Sequence, residues 1–283
     1  MSISSSAVLV DLNISVWPAS KVDREVTDMV NNSANAVTGA AQTKKNLFAG
    51  TSLRKDIEKF AARVRLYHNV TTLPWADKGE RLLPTRLFME YKQEMNKFQA
   101  QFHAMCKAFF DNYDNLVAEA PLHLGSLYKA EDYPARCEVE DKFGFRLNIK
   151  PLPEAGDFRL DIPSADLESL RSQYEQQYET KLQEAMKSAW TRLYDMLKGM
   201  SEKLTDNDDG TNKRFHDTFV SNATDLCDLL KKLNVTNDPD LERARTELEQ
   251  VMKGVDITTI KDSELARSTT KQKVDDILNK FNW

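Results

Sequence analysis

The sequence predicts a mainly α protein, in which an elongated antiparallel hairpin or bundle of long helices carries a small β-sheet. Of the 283 residues 29% are charged, and nine glycines and nine prolines are few for a turn-rich β-sandwich. Apolar side chains recur at helical spacing over residues 85–118 and 164–205, which predicts two long helices. Segments of alternating polarity predict strands near residues 7–17, 143–150 and 157–162.

The N-terminal strand is the first predicted element. Residues 7–17 alternate between apolar and polar side chains, as a strand with one buried face does, and Pro18 ends the pattern. Ser20 is placed to cap a helix whose apolar stripe continues to Val37. The members of that stripe are Val22, Val26, Met29, Val30, Ser33 and Val37.

A basic helix is predicted at residues 52–67. Its apolar positions recur every three or four residues, and its other faces carry a group of cations. These cations are Arg54, Lys55, Lys59, Arg63 and Arg65. A solvated outer face is the ordinary explanation, whereas a nucleic-acid-binding protein would use them to contact phosphates. In that second interpretation Tyr67 or Trp75 would stack on single-stranded bases.

Residues 71–85 interrupt the helical pattern with two prolines and Gly79. Two interpretations of this loop remain open. A packed connector would bury the Trp75 ring and use Asp77 or Arg81 as a capping partner. A rigid recognition loop would instead present its side chains to another protein. Its candidate contacts are Pro74, Trp75, Asp77 and Arg81.

The two long apolar stripes predict the scaffold of the protein. The stripe over residues 85–118 is rich in Phe, Tyr and Met and extends over about 50 Å of helix, which favours irregular intramolecular packing. The stripe over residues 164–205 begins at Ser164, a suitable N-cap, and extends over about 60 Å. We expect these coiled-coil-like helices to pair as an antiparallel hairpin.

A β-hairpin is predicted between the two long helices. Residues 143–150 and 157–162 alternate in polarity and are joined by a loop that contains proline and glycine. Because an isolated hairpin is only marginally stable, residues 7–17 are the expected third strand. Phe145 and Phe158, which lie on this hairpin, complete the candidate protein contacts.

The rest of the chain is predicted to be helical. A polar stretch at residues 205–212 separates a long-helix bundle with its sheet, residues 1–206, from a C-terminal helical segment, residues 213–283. We expect this segment to pack on the bundle or to form a small subdomain. Pro239 suits the first turn of one of its helices, and Gly254 suits the end of that helix.

Composition and motifs exclude most kinds of chemistry. The sequence contains no nucleotide-binding glycine motif, and its histidines and cysteines lack metal-ligand spacing. We therefore expect no enzymatic activity, cofactor, metal or small-molecule substrate. The net charge of −5 is opposite in sign to that of a dedicated duplex-binding domain. The chain has no apolar run near the ~18 residues of a membrane span and no basic start of a secretory signal, and its scattered cysteines favour a reducing cytoplasm.

Two stretches of the sequence carry a resemblance to a known family. VLVDLNISVWPASKVDREV, residues 8–26, and TLPWADKGERLLPTRLFMEY, residues 72–91, resemble an uncharacterised family of bacteriophage and prophage proteins, a domain of unknown function. That family has no assigned activity, so the resemblance implies no catalytic residue. Its members are often encoded near a MoxR-type AAA+ ATPase, and the resemblance implies such an ATPase as a partner.

We therefore expect a non-enzymatic, phage-encoded helical scaffold or adaptor in the cytoplasm of the infected bacterial host. It would act by self-assembly into a homo-oligomer or by docking a protein partner, for which the AAA+ ATPase is the candidate. The alternative is a nucleic-acid-binding or recombination-associated accessory protein that uses the basic helix. An unrecognised enzyme and a pore-forming protein are further alternatives, although the predicted hairpin is too polar for easy membrane insertion.

Overall fold

The computed structural model describes residues 5–153, 164–205, 215–281 and 283. These residues are mainly helical and include a small antiparallel sheet, as the sequence predicts. The chain forms two compact units. The first unit contains Met1–Asp11, Asn69–Tyr91 and Asn148–Trp283, and the second contains Leu12–His68 and Lys92–Leu147.

Among the described residues, the main sheet consists of β1 (Ala7–Ser15), β4 (Leu73–Pro74), β5 (Glu80–Pro84) and β6 (Gly144–Pro151). These strands lie side by side in the order β4-β5-β1-β6. β1 pairs antiparallel with β5, from Ala7 opposite Pro84 to Asp11 opposite Glu80. The predicted strands at residues 7–17 and 143–150 are thus confirmed, and the one at 157–162 lies outside the described residues.

The predicted loop at residues 71–85 is instead a β-hairpin formed by β4 and β5. Leu73 pairs with Leu82 and Pro74 with Arg81, while Gly79 adopts a φ of 86° in the connecting turn. The two prolines indicated an irregular loop, and this prediction was wrong because proline is tolerated in an edge strand and at a strand end. Here Pro74 lies in edge strand β4, and Pro84 is the last residue of β5.

Helices of the first unit pack around α6 (Ser164–Leu204). In the described part of the chain after α6, four further helices follow: α7 (Phe219–Leu233), α8 (Pro239–Met252), α9 (Ile257–Asp262) and α10 (Glu264–Lys280). α6 packs against α10, α7 and β4, and α8 packs against α7 and α10. Fully buried leucines fill the spaces between these helices, among them Leu193, Leu197, Leu230, Leu233 and Leu248.

The start of α8 is set by Asp238. Its carboxylate accepts hydrogen bonds from the backbone amides of Asp240 and Leu241, at 2.9 and 3.2 Å, and Pro239 occupies the first turn. An aspartate cap followed by proline is a typical helix N-terminus, and the predicted start is confirmed. Asp238 also accepts a hydrogen bond from Trp190 Nε1 at 3.0 Å, so the cap ties α8 to α6.

The second unit is built around an aromatic core. Its elements include β2 (Ser20–Val22), α1 (Arg24–Ser33), β3 (Lys44–Asn46), α4 (Tyr113–Leu124), α5 (Arg136–Glu140) and the greater part of α2 (Leu53–Thr71) and α3 (Thr85–Asp111). The Phe48 ring meets four other rings edge to face at centroid distances of 5.5–5.9 Å. Those rings belong to Trp17, Phe109, Tyr113 and Tyr133.

Two predicted helices of this unit have different limits in the structure. The helix expected over residues 85–118 breaks at Asn112, whose side-chain amide donates to Ala108 O at 2.8 Å, and α4 begins at Tyr113. The helix expected after Ser20 begins at Arg24 instead, because Asp23 caps it by accepting from Val26 N at 3.1 Å. Asparagine and aspartate favour helix ends, since their side chains bond the backbone groups that a helix leaves unpaired.

Two predictions about organisation remain predictions. The antiparallel hairpin of the two long helices is one of them. The division between residues 1–206 and 213–283 is the other, and its boundary lies within residues 206–214, outside the described residues. Helices α7 to α10 belong to the same compact unit as α6.

Candidate functional site

The predicted recognition loop is mostly a packed connector. Trp75 is only 7% exposed, and its ring lies 5.3 Å from that of Tyr178 on α6. Arg81 donates to Thr72 Oγ1 at 2.7 Å and to the carbonyl oxygens of Asn69 and Thr72 at 3.2 and 3.3 Å. The structure therefore favours the connector interpretation and places Trp75 in the interior instead of at a partner surface.

The other candidate contacts divide in the same way. Asp77 is exposed in the turn of the hairpin, and Pro74 is half-buried. Phe145 is 6% exposed, and its ring lies 5.8 Å from that of Phe102 in the aromatic core. Phe145 is thus corrected from a partner contact to a core residue, and Phe158 lies outside the described residues.

The basic helix corresponds to α2, and part of its charge is used within the protein. Arg54 is 8% exposed, pairs with Glu58 at 2.8 Å and donates to Trp17 O at 3.4 Å. Because this guanidinium is enclosed, Arg54 is corrected from a phosphate contact to a buried structural residue.

The remaining cations of α2 are more accessible. Arg65 donates to Ile14 O at 2.6 Å, and the Arg63 guanidinium lies 4.9 Å from the centre of the Phe60 ring. Lys55 and Lys59 are exposed on the outer face of the helix. This pattern matches an ordinary solvated helix face, and nucleic-acid binding by α2 remains a prediction.

An exposed apolar surface lies on the segment from β2 through α1 to the loop that follows. We call it the α1 apolar face and define it as Val22, Met29, Val30 and Val37. Met29 is 69% exposed and Val37 80% exposed, and the other two members are also exposed. The apolar stripe found in the sequence is therefore turned toward solvent. Single exposed apolar residues are common, and four of them on one short segment make this segment a candidate interaction surface.

The polar side of α1 is turned inward because it bonds the returning backbone. Asn31 is buried, donates to Ala41 O at 3.3 Å and accepts from Ala41 N at 3.0 Å. Thr27 Oγ1 accepts from Thr43 N at 3.0 Å. Residues 34–43 form no helix or strand, and the partly buried backbone of Ala41 and Thr43 obtains its partners from these side chains. These bonds hold the polar side of α1 inward and leave the apolar stripe on the outer side.

A buried ionic cluster anchors this segment to the rest of the second unit. Lys45 on β3 is enclosed, and its ammonium lies 2.6 Å from Asp132 Oδ2 and 3.6 Å from Asp23 Oδ2. The same ammonium donates to Leu127 O at 2.7 Å. Lys21 on β2 approaches Asp132 Oδ1 at 2.7 Å from the solvent side. Three separate stretches of chain therefore meet at one lysine.

The electrostatics of Asp132 reflect this cluster. Burial by itself would raise the pKa of the Asp132 carboxyl, but contacts with Lys21 and Lys45 outweigh it and hold the pKa below its usual range. Asp132 Oδ2 is fully enclosed and faces Lys45 as an ion pair without hydrogen-bond alignment. Asp132 is therefore charged in the folded protein and depends on Lys45.

A polar groove of about 640 Å³ adjoins the α1 apolar face. Its walls come from β2, the start of α1 and the chain near Asp132, and Lys129 bridges to Glu25 at 2.9 Å on its rim. An exposed apolar group beside a charged groove can bind another polypeptide. The apolar part would then supply affinity, and the charges would set the orientation of the bound partner.

The described residues contain neither a group of metal ligands nor a membrane-spanning helix. Within residues 5–153, 164–205 and 215–281, no three His, Cys, Asp or Glu side chains are grouped so as to hold a metal ion. The helices of the same residues also lack a segment with the length and apolar character that crossing a membrane requires.

The sequence shows the apolar stripe of α1, but it does not show that this stripe faces solvent. Helical periodicity shows that one face is apolar, and it does not show whether that face is covered. The available signal was the pair Thr27 and Asn31 on the opposite side, followed by a stretch rich in small residues that forms no regular element.

Comparison with known proteins gives no further assignment. No protein-family model, curated protein or solved structure matches this chain.

Proposed function

We propose that this chain is a non-enzymatic helical adaptor or scaffold that works by protein docking through the α1 apolar face. The observation that carries the proposal is the outward orientation of Met29 and Val37 on a segment that is firmly anchored from within. A segment that is held by buried contacts loses less conformational freedom on binding than an unattached one, which favours affinity.

The α1 apolar face supplies part of the free energy that association requires. Fully burying an exposed valine or methionine side chain contributes about 1.5–3 kcal/mol. Because Met29 is 69% and Val37 80% exposed, covering both contributes about 2–4 kcal/mol before the costs of association. Small residues in the adjoining loop, such as Ala34 and Ala40, let a partner backbone approach closely. The adjacent groove then supplies charged contacts on one side.

The identity of the partner is part of the proposal. The resemblance to a bacteriophage and prophage family supports a phage-encoded adaptor in the cytoplasm of the infected host. It also supports a MoxR-type AAA+ ATPase as the docked protein. Self-assembly through the same face is the other form of this function, and both forms require that the α1 apolar face be covered in the complex.

A pair of matched variants tests the proposal. Met29→Lys with Val37→Lys places charge on the α1 apolar face, and Asn32→Lys with Thr38→Lys adds the same charge at exposed polar positions of the same segment. We expect the first variant to fold like the wild type and to lose self-association and binding of a purified AAA+ ATPase of that type. The second variant should keep both. Equal binding by the wild type and both variants would refute docking through this face.

A further inference from the structure

A second open groove lies in the first unit, between α6 and α7. It has a volume of about 460 Å³, and its floor is apolar. The floor is formed by Met196, Met200, Phe219 and Leu226. Arg192 and Lys203 lie at its two ends, about 16 Å apart along α6 at the rise of an α-helix.

Gly199 lies on the wall of this groove in the middle of α6. Glycine weakens a helix interior relative to alanine, and its missing side chain leaves room for another group to approach the backbone closely. Among the described residues, nothing lies within 4 Å of the position that a Cβ on Gly199 would occupy. The described part of the chain therefore does not use the space that this glycine leaves.

The cation at one end of the groove, Arg192, is bonded by backbone carbonyl groups and by no carboxylate among the described residues. Arg192 donates to the carbonyl oxygens of Val70, Asn69 and Thr72 at 2.7, 3.0 and 2.8 Å, and Arg81 bonds the same stretch of chain. Within the described residues, neither guanidinium has a carboxylate at ion-pair distance. Burial, followed by repulsion from Arg81, lowers the pKa of Arg192 to about 10.

The other charges along the groove do not remove this excess. Asp195, between the two ends, is the acidic residue of the lining, and Lys203 at the far end has no acidic partner among the described residues. An incoming carboxylate would therefore be favoured at both ends of the groove.

We infer that the α6–α7 groove binds an acidic amphipathic helix of a partner protein, whose apolar side chains cover the floor while its backbone passes close to Gly199. Carboxylates of that helix pair with the cations at the two ends. An apolar helix face laid in a hydrophobic groove is a common mode of peptide recognition. The groove belongs to the first unit and the α1 apolar face to the second, so the inference does not depend on the proposed function.

Selection from a peptide library tests the inference directly. A library of random peptides of about 16 residues, displayed on yeast cells, is selected against the purified full chain. We expect enrichment of sequences with apolar residues at positions i, i+3 or i+4 and i+7, flanked by Asp or Glu. The best peptide is then synthesised, and its dissociation constant is measured by fluorescence anisotropy.

Four variants locate the bound peptide. Gly199→Leu fills the groove and should weaken binding by about tenfold or more, whereas Gln183→Leu, an exposed position of α6 outside the groove, should not change it. Lys203→Glu should weaken binding by about threefold or more, whereas Lys198→Glu makes the same charge change outside the lining and should have little effect.

Three results would overturn the inference, and unchanged binding by Lys203→Glu would be a fourth. Failure to enrich any peptide, enrichment of peptides without acidic residues, or equal binding by Gly199→Leu would each do so. If Gly199→Leu does not fold, Lys203→Glu decides the outcome alone. Self-association of the wild type that Gly199→Leu abolishes would make a second copy the occupant. The variant Met29→Lys with Val37→Lys changes only the α1 apolar face, so it should still bind the peptide. Peptide binding by this variant therefore tests the groove independently of the proposed function.

Discussion

Replacing Lys45 by methionine should destabilise the second unit strongly. The Lys45 ammonium lies 2.6 Å from Asp132 Oδ2 and 2.7 Å from Leu127 O, and both charged side chains are less than 5% exposed. Removing one partner of a buried ion pair typically costs about 3–5 kcal/mol, because the remaining charge is left uncompensated. Lys21 still contacts Asp132, and methionine fills most of the vacated volume, so we expect a loss of about 3 kcal/mol, near the lower limit.

Urea unfolding followed by circular dichroism measures this loss, and hydrogen exchange of peptides from residues 20–46 locates it. Lys44→Met is the matched control, because Lys44 is the exposed neighbour on the same strand and makes the same charge change. We expect the control to stay within about 0.5 kcal/mol of the wild type. A Lys45→Met protein as stable as the control, with unchanged exchange over residues 20–46, would refute the assigned role of the cluster.

The same cluster predicts the direction of a pH effect. The pKa of Asp132 in the folded protein lies below its ordinary value of 3.8. A carboxyl with a lowered pKa contributes stability above that ordinary value and loses it as the pH falls toward the folded pKa. We therefore expect the wild type to lose stability between about pH 5 and pH 3. Asp132→Asn should flatten that loss in urea titrations, and an unchanged slope would contradict the assignment.

Three further predictions follow from named contacts. Asp238→Ala should lower the free energy of unfolding in urea by about 2 kcal/mol, since it removes a helix cap and the acceptor of the Trp190 hydrogen bond. Asp238→Asn should lower it by about half as much, and an unchanged unfolding midpoint would contradict this prediction. Gly199→Ala should stabilise the free protein by about 1 kcal/mol because the methyl group meets no described atom, and a loss of stability would contradict an open groove. Iodoacetamide at pH 8 should alkylate exposed Cys137 alone in the folded protein, as read by peptide mass mapping. Burial raises the pKa of Cys106 to about 12 and that of Cys227 to about 11, so neither thiol should react early. Early labelling of Cys106 or Cys227 would contradict this prediction.

The elements best predicted from sequence were those with an uninterrupted pattern. The stripes of α3 and α6 and the alternation at residues 7–17 and 143–150 each placed an element of the correct type. A repeated apolar spacing shows that one face of the element is suited to burial. This spacing is the same whichever element covers that face, so it can be recognised from the local sequence.

Predictions failed where a single polar side chain decides the local structure. Asn112 ends α3 through its bond to Ala108 O, although the apolar seam continues beyond it. Pro74 and Pro84 indicated a loop, but both occupy strand positions that need no amide hydrogen bond. Competition of this kind depends on which backbone groups lie near, and that information is not contained in the local pattern.

The candidate site could be predicted only in part, because its two decisive features are not local. The stripe through Met29 is visible in the sequence, but its exposure results from the bonds of Asn31 to residue 41. The ionic cluster joins Lys45 to Asp132 across 87 positions of sequence, and no spacing rule relates them. The same reason explains why the sequence leaves Trp75 and Phe145 as candidate partner contacts, since the rings that they pack against lie on distant elements.

The central claim is that this protein works by docking through the α1 apolar face, and a sedimentation-velocity measurement tests it most directly. The chain is measured alone over a range of concentrations and, carrying a fluorescent label, together with a purified MoxR-type AAA+ ATPase, the proposed partner. We predict that the wild type sediments as a species heavier than its 32.4 kDa monomer in at least one of these samples. Met29→Lys with Val37→Lys should sediment as the monomer in both, while Asn32→Lys with Thr38→Lys should behave like the wild type. A wild type that remains monomeric in both samples, or a heavier species that the first variant retains, would contradict the account.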